Sequence, residues 1–97
     1  MKKILDLVLD SVKEVGEDQN NQSLIDSTKD TQLFGENLDS MGIVFLVTDL
    51  ESRISDALDV DIVLADERAM SQKTSPFRSV KTLTKYAQTL IDEEQAN

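Results

Sequence analysis

The stretch GENLDSMGIVFLVTDLE, residues 35–51, carries the most distinctive chemistry in the chain. Ser40 follows Asp39 and precedes an uncharged apolar run from Met41 to Val47. A serine at such a place has two uses. It can cap the free N–H groups of a helix start. Alternatively, its hydroxyl can carry an anionic group in the favourable field of the helix N-terminus. Three details point beyond capping. A capping box is missing, because Gly42 and Ile43 stand three residues after Asp39 and Ser40. Gly42 lies in the first turn, where glycine costs roughly 1 kcal/mol against alanine. Met41, Val44 and Phe45 make a face more apolar than solvent favours.

Other chemistries are closed off by composition. The chain has no histidine and no cysteine. It therefore lacks the commonest general base and metal ligand, and it has no thiol. A Ser-His-Asp triad cannot be built from it. The 19 acidic residues are plentiful, but no pair of them forms a recognisable catalytic pattern, and they read as solvated faces. Asp59 and Asp61 open DVDIVLADERAM, which lacks the glycine and the glutamate that a calcium loop requires. The expectation is a chain that is not itself an enzyme and binds no metal.

A net charge of −9 argues against nucleic acid and against anionic membranes, and it suits basic protein partners. The opening MKKILDLVLDSVKEV has Asp6 and Asp10 within its apolar region, so it reads as a helix rather than a leader. No segment has the uncharged length of a membrane span. The expectation is a cytoplasmic monomer.

The elements that would hold Ser40 follow from periodicity. Ile4, Leu5, Val8, Leu9, Val12 and Val15 recur at helical spacing, with Gly16 as the stop and EDQNNQ as loop. Residues 16–39 form a long connection anchored by Leu24, Ile25, Leu33 and Phe34, with a short turn of helix over residues 30–34. The second helix runs from Ser40 to Ala57. Ile43, Leu46, Val47, Leu50 and Ile54 face the core, and Met41, Val44, Phe45 and Thr48 face outward. A short extended link over Val60, Ile62 and Leu64 leads to a short third helix at residues 65–71. QKTSPF is a loop turned by Pro76. Ser79 caps the last helix, with Val80, Leu83, Ala87, Leu90 and Ile91 inward and Tyr86 at the flank. The expected fold is all-α: one domain over 1–97, a small four-helix bundle of three main helices and one short helix, with a long first loop. Its core spans about 2–92, with 93–97 as a frayed tail.

LDSMGIVFLVTDLE resembles the modification site of acyl carrier proteins, whose second helix starts at an Asp-Ser-Leu or Asp-Ser-Met. LFGENLDSM is similar to the end of that family's first loop, ADERAM to its short third helix, and SVKTLTKYAQTLI to its last helix. The resemblance implies that a separate phosphopantetheinyl transferase esterifies Ser40 with 4′-phosphopantetheine from coenzyme A, with magnesium. The thiol of that arm would hold an acyl or aminoacyl group as a thioester. It would thereby supply the thiol that the chain lacks. The chain would be a phosphoprotein of fatty-acid, polyketide or nonribosomal biosynthesis. Its partners would be a loading ligase or transferase and downstream synthases with basic surfaces. By position, Glu36, Leu38, Asp39, Met41, Val44, Phe45 and Glu51 would flank the attachment point or meet partners. Gly42 and Phe45 stand where fatty-acid carriers usually have acidic residues. That departure, with the longer SQKTSPF loop, implies a dedicated pathway. The competing reading is an acidic helical adaptor that binds partners non-covalently through the outer face of the second helix.

Overall fold

A computed structural model describes residues 3–35, 37–64 and 76–96, with the backbone alone at 40 and 96. Among these residues the chain forms four helices and no strand, consistent with a small all-α bundle. They are α1 (Ile4–Asp18), α2 (Gln22–Ile25), α3 (Ser40–Leu58) and α4 (Val80–Ala96). The short third helix expected at 65–71 lies outside the described residues.

Helix α1 buries Ile4, Leu7, Val8, Val12 and Val15, while Leu5 and Leu9 are half-buried. It does not stop at Gly16. It runs on to Asp18 and ends where Asn20 takes a left-handed conformation, φ 54°. Gly16 has a packing role instead. A Cβ there would stand 2.7 Å from Leu24 Cβ and 2.9 Å from the Ile25 nitrogen. The missing side chain lets α2 fold back against α1, and the Asn21 N–H donates to the Gly16 carbonyl at 2.8 Å. The run read as loop thus ends in a short helix, with Asn21 Oδ1 accepting from the Leu24 N–H at 3.4 Å.

Residues 30–34 are not helical either. Asp30 and Thr31 belong to a turn closed by the Thr31 N–H on the Thr28 carbonyl, and residues 32–34 run beside the segment that leads into α4. Leu33 N–H donates to the Arg78 carbonyl at 2.7 Å, and Phe34 N–H to the Phe77 carbonyl at 3.1 Å. With these two N–H groups satisfied across the fold, Leu33 and Phe34 have no need of a helical turn. Leu24 and Leu33 are buried as expected of anchors, but Phe34 is exposed. The chain then doubles back tightly. Leu38 N–H donates to the Leu33 carbonyl at 2.9 Å, and Gly35 sits at φ 88°, which favours glycine.

Helix α3 buries Ile43, Leu46, Val47, Leu50 and Ile54 completely. It ends at Asp59, left-handed at φ 55°, whose N–H donates to the Ser55 carbonyl. Residues 60–64 follow without helix, and Leu64 is buried. Helix α4 buries Val80, Leu83, Ala87 and Ile91, and Phe77 meets Tyr86 edge to face with ring centres 6.4 Å apart. The helix carries on past Asp92 to Ala96, with Glu93, Glu94 and Gln95 exposed. α1 is the common wall: α2, α3 and α4 all pack against it.

Candidate functional site

Asp39 is the N-cap of α3. Its Oδ1 accepts the Gly42 N–H at 2.9 Å, and its carbonyl accepts the Ile43 N–H at 3.0 Å. Ser40 is therefore the first helical residue, one position inside the cap. Gly42 has a steric reason to be glycine. A Cβ there would come within 2.8 Å of Leu38 Cδ2 and 3.2 Å of Leu38 Cβ. The leucine before the helix thus folds under its first turn, and Leu38 is buried.

Beyond Ser40, α3 presents the expected outer face. Met41 is 65% exposed, Val44 44% and Phe45 60%, with Thr48 exposed one turn on. Phe45 is not a core residue. The residues singled out around Ser40 separate into distinct environments. Asp39, Met41, Val44 and Phe45 are exposed together at or near the head of α3, whereas Leu38 is in the core. Glu51 is half-buried, and its Oε2 accepts the Leu64 N–H at 2.6 Å, so it ties the link after α3 back to the helix. Glu36 lies outside the described residues. Asp59 and Asp61 are engaged locally, the first as the α3 C-cap and the second as an acceptor of the Ser55 hydroxyl at 3.2 Å. Among the described residues no group of three or more metal-ligating side chains comes together.

Charge beside this face comes from residues that the sequence reading passed over. A groove of about 400 Å³ between α1 and α3 is lined by Glu14, Val15, Asp18, Gln19, Phe45 and Asp49. Arg53 bridges its two walls, with Nε donating to Asp49 Oδ2 at 2.7 Å and Nη2 donating to Glu14. The hydrogen bond that Arg53 donates to Asp49, helped by the charge of Glu14, holds the guanidinium proton more firmly than usual. Part of this was legible: Asp49 and Arg53 are spaced i, i+4, a pairing distance on any helix. The contribution of α1 was not, because it depends on how the helices cross.

Ser79 offers a second serine at a helix start. It is buried, its Oγ accepts the Thr82 N–H at 3.2 Å, and its own N–H donates to Thr82 Oγ1 at 3.0 Å. That reciprocal pair is a capping arrangement, as the sequence predicts. No helix among the described residues is long and apolar enough to cross a membrane.

No protein-family model, curated protein or solved structure matches the chain.

Proposed function

We propose that the chain is an acyl or aminoacyl carrier, modified on Ser40 with 4′-phosphopantetheine and serving a dedicated set of partner enzymes. The observation that carries the reading is the division of labour at the head of α3. Asp39 makes the cap, and Ser40 stands next to it as the first helical residue, beside the exposed Met41, Val44 and Phe45. The residues present fit the group. A phosphodiester at residue 40 would lie at the positive end of a 19-residue helix. When bound, the group supplies a thiol for thioester formation. Asp39 holds the first turn in place, and the apolar side chains along α3 offer a surface to the enzymes that load and unload the carrier. The chain performs no bond-making of its own in this reading.

The test is intact-mass analysis after incubation with coenzyme A, magnesium and a broad-specificity phosphopantetheinyl transferase. A single adduct mapped to Ser40 is expected, and an unmodified chain would end the proposal. The dedicated partner set rests on Phe45, whose exposed ring stands where a carboxylate is usual in fatty-acid carriers. Efficient malonyl loading by a fatty-acid malonyltransferase would count against that part. The second reading, a non-covalent adaptor, draws on the same apolar face. It predicts that Ser40→Ala retains full function, where the carrier reading predicts complete loss.

A further inference from the structure

The groove between α1 and α3 combines features that solvent alone does not explain. Its apolar surface comes from Val15, which is buried, and Phe45, most of whose ring faces water. Its rim bears Glu14, Asp18 and Asp49, carboxylates from two different helices. Arg53 draws Glu14 and Asp49 together and orients them. Asp18 has no ion-pair partner among the described residues. Three carboxylates against one guanidinium leave the rim negative.

We propose that this groove seats a segment of a partner protein that presents one apolar side chain flanked by lysine or arginine. The apolar residue covers Phe45 and Val15, and the flanking cations meet Asp18 and the outer oxygens of Glu14 and Asp49. A guanidinium or ammonium lying across the Phe45 ring gains a cation–π contact in addition. The −9 net charge steers such a partner in. The same charge repels a second copy of the chain and an anionic lipid surface, which sets those occupants aside. The contact extends recognition from α3 alone to a surface shared with α1. It does not depend on any group at Ser40.

The experiment uses the full-length Ser40→Ala chain, which cannot carry an arm, as target for a random-peptide display library. Selected peptides are expected to pair an aromatic or aliphatic residue with neighbouring lysine or arginine. A synthetic peptide of that sequence should shift backbone amide resonances at Glu14, Val15, Asp18, Gln19, Phe45 and Asp49. Phe45→Ser and Asp18→Lys should each weaken its binding by about tenfold or more. Both positions are exposed, so circular dichroism should show both variants folded. The proposal is overturned if selection yields no peptides, or acidic or purely apolar ones. It is equally overturned if the shifts fall elsewhere or if both variants bind unchanged. Sedimentation showing self-association that Phe45→Ser abolishes would assign the groove to a second copy. Co-flotation with phosphatidylcholine vesicles that Phe45→Ser abolishes would assign it to lipid. Either result overturns the proposal. Because residue 40 is alanine throughout, failure here leaves the carrier reading standing, and success here survives the failure of that reading.

Discussion

Helices α3 and α4 each begin beside a serine, and the two starts are capped in different ways. Ser79 is buried at the head of α4, where its hydroxyl and backbone N–H are both committed to Thr82. At the head of α3 the corresponding task falls to Asp39, which accepts the Gly42 N–H, and Ser40 is the next residue along. One start is closed by the serine itself, and the other by its neighbour. A serine that serves as the cap is committed to the fold. On the proposed carrier reading, the serine one position past the cap is the one that takes the arm, and the cap itself stays with Asp39.

The sharpest way to break this comparison is to remove each hydroxyl in turn. Ser40→Ala should abolish the phosphopantetheine adduct completely in the intact-mass assay, while Ser79→Ala should leave it in full. An adduct persisting in Ser40→Ala would place the modification elsewhere and dissolve the contrast. Stability should run the opposite way. Ser79→Ala removes a buried cap and should cost about 2 kcal/mol in urea unfolding. Ser40→Ala should stay within about 0.5 kcal/mol of the parent chain.

Asp39→Ala should cost about 1 kcal/mol, since it frees the Gly42 N–H. If Ser40→Ala proves as costly as Asp39→Ala, the cap has been assigned to the wrong residue. Gly42→Ala tests the same turn from the other side. Helix propensity favours alanine by roughly 1 kcal/mol, but overpacking costs roughly 1–3 kcal/mol. The 2.8 Å approach to buried Leu38 makes overpacking win, and thermal unfolding should fall by several degrees, on the order of 4–8 °C for each 1 kcal/mol in a domain of this size. A rise in the midpoint would show that Leu38 yields freely. The smallest effect belongs to Arg53→Gln. Its ion pairs are partly exposed and should contribute about 0.5 kcal/mol, diminishing with added salt in the same urea assay.

The parts of the fold that could be read in advance are those fixed by neighbours close in sequence. The apolar spacing from Ile43 to Ile54 names the buried face of α3, and the polar and apolar remainder names its outer face. Ser79 as a cap is local chemistry as well. The misread elements depend on distant partners. Gly16 looks like a helix terminator, yet it is the point where Leu24 and Ile25 come close to α1. Residues 30–34 look like a helical turn, yet the N–H groups of Leu33 and Phe34 are taken by carbonyls more than forty positions away. Around the candidate site, the exposure of Met41, Val44 and Phe45 followed from the helical period. The burial of Leu38 and the engagement of Glu51 with Leu64 did not, because each is decided by what the chain does on either side of the helix.

Leu38 tucked beneath Gly42 has a mechanical consequence. A pull applied at residue 40 would tend to peel away the opening turn of α3. Here that turn is pinned from below by a leucine embedded in the hydrophobic interior, so the strain spreads into the body of the protein. On the carrier reading, an arm at this point would be fastened to the whole domain and not to a loose end.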